Sequence, residues 1–332
     1  MYSEVFKKIH NNSDWMTAYY THFQALRDIE NYLKEILQPD WEIKAFNNRE
    51  FECEENIYEL FLLILAKKVI KNKDLLSFYA IIFECIRRMG CGIDAAVDDE
   101  NKKLVPFERE NHAYVTNGFL AYGVYEKVIF KACLDFMDFG LLNTEDCDCV
   151  INSLMSVLKP KFEEEQIQEA YSGENYPTVF ECYNFHIINR NSHLMAAQLE
   201  MLIAMGQAET DKCIDFFKAI RFLSKSIGIV DDIDDFYEDI FEGGINVIIS
   251  LMLNEHQVKY SQLHDLRKYG GFDDTGAFIP CVEEAASEVH KNLADSFSII
   301  KSCYPEIYKD TKYILGVSTS IKLQKILEKH KI

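Results

Sequence analysis

The sequence predicts an all-α protein: one domain over residues 1–332, built as a bundle of ten to twelve helices. Three observations carry this expectation. Apolar residues recur at three- and four-residue spacing through most of the chain, the period of one face of a helix. Only 6 Pro and 14 Gly interrupt the 332 residues, and no turn pair flanked by alternating strands marks a hairpin. With 48% hydrophobic residues the chain can bury a large core, which excludes a disordered polymer.

The elements follow in order. From about Asp14 to Leu37, Trp15, Tyr19, Phe23, Leu26, Ile29 and Leu33 form the apolar stripe of an amphipathic helix that Pro39 stops. A second helix is expected near Glu55 to Ile70. A third, capped by Asp74, runs from Leu75 to about Asp98, is apolar nearly all round, and belongs at the centre of the fold. A long helix from about His112 to Phe139 ends near Gly140. Asn143 and Thr144 offer caps for the next, which closes before Pro160, and a short acidic helix follows through Ala170. Pro177 reads as a first-turn proline for a helix reaching Gly206. Thr210 caps one that runs into an acidic cluster and Gly243. Shorter helices follow at about Ile245 to Asn254 and Val258 to Tyr269. Pro280 opens another that ends near Tyr304, and the last spans Glu306 to about Lys329.

Composition narrows the functional classes. A formal net charge of -19 argues against a nucleic-acid surface, because phosphates are met by Lys and Arg. An anionic substrate would need metal as its bridge. The longest apolar run, Leu60 to Ala66, is far short of the roughly eighteen residues needed to span a bilayer, so no stable membrane insertion is expected. With no charged-then-apolar leader before Met16, the 10 cysteines are expected to be reduced thiols of a cytoplasmic protein. Cys147 and Cys149 lack a second pair at zinc-like spacing and are read as structural.

The stretch from Asp231 to Asp239 packs six carboxylates into nine positions: Asp231, Asp232, Asp234, Asp235, Glu238 and Asp239. On a helix, Asp231, Asp235 and Asp239 fall within a stripe roughly 80° wide. Like charges at this spacing repel by a few tenths of a kcal/mol per pair, so a cation is the natural complement. Oxygen-only ligands suit a hard ion such as Mg²⁺, usually held by one or two carboxylates together with substrate phosphates. A solvated acidic helix end is the alternative reading of these residues. A second acidic helix end lies about 140 residues earlier, at Asp94, Asp98, Asp99 and Glu100.

Two acidic clusters, each closing a long apolar helix, resemble the class I isoprenoid synthase family, and the resemblance covers most of the chain. Ile229 to Phe236 is similar to the second DDxxD motif of trans-isoprenyl (farnesyl and geranylgeranyl) diphosphate synthases; with Asp239 it also fits the metal motif of terpene cyclases. Glu84 to Asp94 is similar to the helix leading into the first DDxxD. Tyr183 to Ser192 resembles the segment carrying the family's Lys-Thr-Ala, and Asn117 to Lys131 the helix after the first motif. The sequence also departs from the family. The first motif reads Asp94-Ala95-Ala96-Val97-Asp98, Lys102 and Lys103 stand where chain-elongating enzymes place an Arg pair, and Arg190-Asn191 replaces Lys-Thr. No Gly-Gly-Lys-x-x-Arg segment appears in the first seventy residues, and the usual Lys after Asp235 is absent.

The resemblance implies a helical bundle around a central apolar cavity with the clusters facing across it, Asp94, Asp98, Asp99, Asp231, Asp232, Asp235 and Asp239 holding Mg²⁺, three ions in all, on the diphosphate of one allylic substrate. Arg190 is then the diphosphate-sensing cation, with Asp94 and Asp231 beside it at the chemistry. Lys102 and Lys103 are candidate substrate contacts, and Met89 and Gly90 the floor of the prenyl pocket, which favours farnesyl or geranylgeranyl diphosphate. Because the departures fall on the second-substrate side, the expected activity is that of a terpene synthase derived from the prenyl synthase scaffold. The alternatives are a trans-prenyltransferase and, further off, a non-catalytic synthase subunit. A homodimer is the expected assembly.

Overall fold

The computed structural model describes residues 2–37, 46, 56–70, 72–97, 114–154, 175–184, 200–201, 203–206, 210–242, 244–263 and 276–329. Every regular element among them is helical, as the sequence predicts. The chain divides into two compact units. One comprises Met1–Leu158 with Ala197–Cys213, the other Lys159–Ala196 with Ile214–Ile332.

The first unit opens with α1 (Tyr2–His10), a short helix not anticipated from the sequence, whose Val5 and Ile9 are fully buried. Asn12 then caps α2 (Ser13–Ile36), its side chain accepting from the N–H groups of Asp14 and Trp15 at 2.9 and 3.2 Å. The apolar stripe of α2 goes into the core at Trp15, Leu26, Ile29 and Leu33. Next come α3 (Ile57–Val69) and α4 (Lys73–Val97). The cap of α4 is not Asp74: Asn72 Oδ1 accepts from the Asp74 N–H at 2.8 Å, two residues earlier than expected. The all-round apolar character of α4 has the predicted consequence. Phe78, Tyr79, Ile82, Phe83, Cys85 and Ile86 are all buried, and the helix packs on α2, α3 and the following α5 (Tyr114–Asp138). Each large apolar side chain so buried is worth about 1.5–3 kcal/mol relative to exposure.

Gly92 on α4 meets Gly118 on α5. A Cβ built on Gly118 would lie 2.2 Å from the Gly92 carbonyl oxygen and 2.6 Å from the Ala96 Cβ, so these helices cross almost backbone to backbone. Gly92 is therefore a packing residue. Further back on α4, Glu84 is 1% exposed and joins α2 to α4 through His22 Nδ1 at 3.2 Å. Arg87 lies 3.0 Å and Arg88 Nε 3.6 Å from the same carboxylate. Burial alone would push the Glu84 carboxyl up; Arg87, His22 and Arg88 outweigh it and hold it well below the usual range. Gly140, at φ +70°, ends α5 in the left-handed conformation that glycine adopts freely. Residues 144–154 are helical behind a reciprocal Asn143–Asp146 cap, which leaves Thr144 inside the helix.

The second unit begins with α6 (Val179–Glu181), continued by a π-type turn over 182–184. Its N-cap is Thr178, in a capping box with Glu181, so Pro177 precedes the cap rather than standing in the first turn. The Pro177 carbonyl accepts instead from Ser250 Oγ at 2.7 Å. α7 (Thr210–Asp234) and α8 (Phe236–Glu242) carry the acidic stretch, α9 (Val247–Asn254) is buried along most of its length, and α10 (Phe278–Cys303) and α11 (Pro305–Lys329) form a helical hairpin. The expected single helix into Gly243 is thus broken at Asp235. Ser226 donates to the Val289 carbonyl and Ser296 to that of Ala219, which fixes α7 against α10. The eight cysteines whose side chains are described are unbridged.

Candidate functional site

The acidic stretch sits where α7 gives way to α8. Two helical hydrogen bonds flank the bend at Asp235: the Asp235 N–H donates to the Asp231 carbonyl and the Asp239 N–H to the Asp235 carbonyl, both at 2.9 Å. The three aspartates therefore remain one turn apart along the backbone. Ile229, Val230, Ile233 and Phe236, fully or almost fully buried, root the segment in the core.

The side chains have different fates. Asp231 is half exposed and accepts an ion pair from Lys322 of α11 at 2.5 Å. Asp232 is turned into the protein at 5% exposure, and its Oδ2 accepts from the Val247 N–H at the start of α9 at 2.7 Å. Asp239 Oδ2 accepts from Asn246 Nδ2 at 2.7 Å. Asp235 reaches solvent, yet protein atoms packed around its carboxyl raise it to about 6, and repulsion from Asp231, Asp234, Glu238 and Asp232 acts in the same direction. Negative potential is concentrated on this residue.

Asn246 organises the turn. Its side-chain oxygen caps α9 by accepting from the Ile248 and Ile249 N–H groups, while Nδ2 donates to the Asp232 carbonyl at 2.6 Å as well as to Asp239. Its backbone N–H donates to Tyr176 Oη at 2.6 Å, and that hydroxyl donates to the Gly244 carbonyl at 2.9 Å. Burial pushes the Tyr176 phenol well above its ordinary value, so it remains a neutral donor. A Cβ on Gly244 would lie 2.6 Å from Asp239 Oδ1, so a larger residue here would displace that carboxylate. Tyr176, Asp239, Ile240, Gly244, Ile249, Tyr260 and Leu263 line one small cleft beside this turn.

Whether these residues suit a divalent cation is decided by the donor set. Among the described residues no three His, Cys, Asp or Glu side chains converge into a ready-made metal cluster. Asp232 and Asp239 are committed to Val247 and Asn246, and the pair one turn apart on the accessible side is Asp231, whose ion pair with Lys322 a metal would displace or share, and Asp235. Two carboxylates, oxygen donors only, one of them raised to about 6 by burial and by the repulsion of its acidic neighbours, fit the partial coordination that Mg²⁺ takes when phosphate oxygens complete it.

The remaining predicted residues divide into two groups. Met89 is buried on α4 and Gly90 half buried beside it. Asp94 belongs to α4 but its side chain lies outside the described residues, as do Asp98, Asp99, Glu100, Lys102, Lys103 and Arg190. Sequence reasoning missed Asn246, Tyr176 and Lys322. Asn246 was signalled by its place just before the apolar run Val247 to Leu253, a helix-start pattern. Tyr176 and Lys322 are 63 and 83 positions from Asp239, and no local pattern ties them to it.

No protein-family model and no curated protein matches the chain. Solved structures do resemble it. Geranylgeranyl pyrophosphate synthase from Lactobacillus brevis superposes with a TM-score of 0.61 at 14% identity, covering 91% of this chain and 96% of that one. Polyprenyl synthetase from Streptomyces coelicolor A3(2) gives 0.61 at 13% identity, with 90% and 97% covered. Heptaprenyl diphosphate synthase from Staphylococcus aureus gives 0.53 at 13%, with 91% and 98% covered. The chain thus has the all-α fold of the isoprenyl diphosphate synthases. No helix among the described residues is long and apolar enough to cross a membrane.

Proposed function

We propose that this chain is an enzyme acting on an allylic prenyl diphosphate with Mg²⁺, and that its reaction is prenyl transfer of the isoprenyl diphosphate synthase type. The observation that carries the reading is the acidic turn: Asp231 and Asp235 one helical turn apart, on a fold shared with proteins named as prenyl diphosphate synthases. Asp231 and Asp235 would hold the metal, and the first acidic helix end, Asp94, Asp98 and Asp99, belongs to the same proposal, as do three ions in total, Arg190 as diphosphate cation, and one isoprenoid-synthase-like domain over residues 1–332. Asp232 and Asp239 support the turn through Val247 and Asn246. The bound metal supplies Lewis-acid stabilisation of the departing diphosphate. The chain's own contribution is to present the carboxylates on a rooted helix end and, through Asn246 and Tyr176, to fix the turn that follows.

A terpene synthase is the second reading, and a specific observation favours it. Chain elongation needs a second diphosphate held by its own cations, and bidentate Arg suits that task best. Here the corresponding positions carry Lys102 and Lys103, and no Gly-Gly-Lys-x-x-Arg segment precedes them. A reduced, cytoplasmic setting and a prenyl diphosphate partner accompany both readings.

One experiment tests the class and separates the two readings. Purified protein is incubated with Mg²⁺ and geranyl, farnesyl or geranylgeranyl diphosphate, with and without isopentenyl diphosphate. Prenyl transfer predicts a longer diphosphate only when isopentenyl diphosphate is present; hexane-extractable hydrocarbon or alcohol without it transfers the assignment to terpene synthesis. Asp231→Asn with Asp235→Asn is expected to abolish either activity while leaving the helical fold, and unaltered turnover in that double variant overturns the metal assignment.

A further inference from the structure

The proposed function leaves Lys322 without a task, and its place on α11 is unusual. At roughly 100° per residue, Thr311, Leu315, Ser318, Thr319 and Ile326 all lie within about 60° of Lys322 around the helix axis, and all five are buried. Lys322 therefore stands in the middle of the face that α11 turns to the core, among apolar and hydroxyl side chains. Its ammonium leaves that face to reach Asp231 Oδ1 at 2.5 Å, and the two side chains stay partly open to solvent, at 42% and 44% exposure.

Stability does not account for this choice of residue. A charged side chain on a core-facing stripe is costly unless its charge is partnered, and an ion pair this exposed returns little. What the pair does provide is a cation that can move. Asp232 and Asp239 are held by groups of the fold itself, the Val247 N–H and the buried Asn246 amide. Asp231 is held by a compact charge on a flexible four-carbon stem with three donor hydrogens, which can exchange one anion for another nearby without any shift of α11.

We propose that Lys322 is a tethered counter-ion that sets the order in which the acidic turn takes its ligands. Paired with Asp231, it opposes a divalent cation that arrives alone; offered a diphosphate, it transfers to a phosphate oxygen and frees Asp231 for the cation. The asymmetry is electrostatic. Against Mg²⁺ alone, Lys322 must give up Asp231 and remain beside a new positive charge, whereas with diphosphate present it exchanges one charge-assisted hydrogen bond for another. Lys322 thereby couples the two ligands, and the coupling is reciprocal: each strengthens the binding of the other. This inference rests on the proposed function in taking Asp231 as a metal ligand, and adds to it a residue of α11 that makes the turn wait for its anionic substrate.

Isothermal titration calorimetry on the full chain tests it, with Mg²⁺ alone and preformed Mg²⁺–diphosphate as the two titrants. Lys322→Met is expected to bind Mg²⁺ alone about threefold or more tighter than the wild type and Mg²⁺–diphosphate about tenfold weaker, a coupling of ordinary size. Lys322→Gln, which keeps a polar side chain at this position, should show the same opposed pair of shifts. Lys312→Met removes the same charge from an exposed position of the same helix, about 15 Å away along its axis, and should leave both affinities unchanged. A wild type that binds no Mg²⁺–diphosphate overturns the proposed function and this inference with it. A wild type that binds it, with Lys322 variants whose two affinities stay put, shift in the same direction, or shift no further than those of Lys312→Met, overturns the inference alone.

Discussion

Asn246 donates through Nδ2 to Asp239 Oδ2 at 2.7 Å and through the same nitrogen to the Asp232 carbonyl at 2.6 Å, tying the end of α7 to α8 across the turn that follows them. With its oxygen capping α9, the buried side chain has every donor and acceptor engaged. Asn246→Ala removes the cap and leaves the Asp239 and Asp232 oxygens without this donor. The expected loss is about 1–3 kcal/mol of stability, measured by urea unfolding. Asn246→Asp keeps the cap oxygen but sets a carboxylate against Asp239. It should therefore harm Mg²⁺-dependent diphosphate binding more than it harms α9, and equal effects on both would count against a role for Asn246 in positioning the acidic turn.

The α4–α5 crossing yields a prediction with a steric origin. Gly118→Ala places a methyl 2.2 Å from the Gly92 carbonyl oxygen, and that oxygen belongs to a helix backbone that cannot step aside cheaply. The gain in helix propensity is at most about 1 kcal/mol, whereas overpacking of this kind costs about 1–3 kcal/mol, so the net effect is destabilising. Gly123→Ala, on the same helix with open space around it, should be neutral or stabilising in the monomer. Chemical denaturation of the two variants side by side checks the contrast, and a stabilised Gly118→Ala would show that the helices do not cross so closely.

Lys225 and Glu288 give the pH dependence. Burial alone would raise the Glu288 carboxyl, but the 2.7 Å hydrogen bond from Lys225, its charge and the donors Asn292 and Lys291 lower it below 4.5. A depressed folded-state value means that the unfolded chain takes up the proton first as pH falls. The stabilisation is therefore fully present above about pH 4.5 and is lost as pH drops through the lower folded value. Lys225→Met removes most of the depression. The variant should be less stable than the wild type at pH 7, with the gap narrowing below pH 4.5, as thermal melts across pH 3–7 would show. A gap independent of pH would mean that the lysine acts by packing alone.

Much of the architecture was legible because helical periodicity is local. The stripe from Trp15 to Leu33 and the all-round apolar character of Leu75 to Ile93 fixed which segments are helices and which of them lies deepest. Boundaries were less legible where two neighbouring residues can both cap. Asn72 takes the place expected of Asp74, and Thr178 with Glu181 caps the helix one residue beyond Pro177, which was expected inside its first turn, because a cap depends on which side chain reaches back to the first N–H groups. α1 went unseen: nine residues offer too short a periodic pattern to stand out, and Val5 and Ile9 declare themselves only once buried.

At the candidate site, the sequence by itself determined that six carboxylates are crowded where a helix closes, since residue identity and a period of 3.6 suffice for that. It also determined that any ligand there must bring positive charge. Only the tertiary structure decided what each carboxylate does. Asp231, Asp232, Asp235 and Asp239 are interchangeable in a linear pattern, yet one pairs with Lys322, one is buried on the Val247 N–H, one is raised to about 6 by burial and by its acidic neighbours, and one is held by Asn246. The partners come from α11 and from the α8–α9 turn, and a residue's distance from them along the chain says nothing about its distance in space. Side-chain chemistry is written locally, but the dielectric, the neighbouring charges and the available hydrogen bonds that set its behaviour are supplied by elements packed against it.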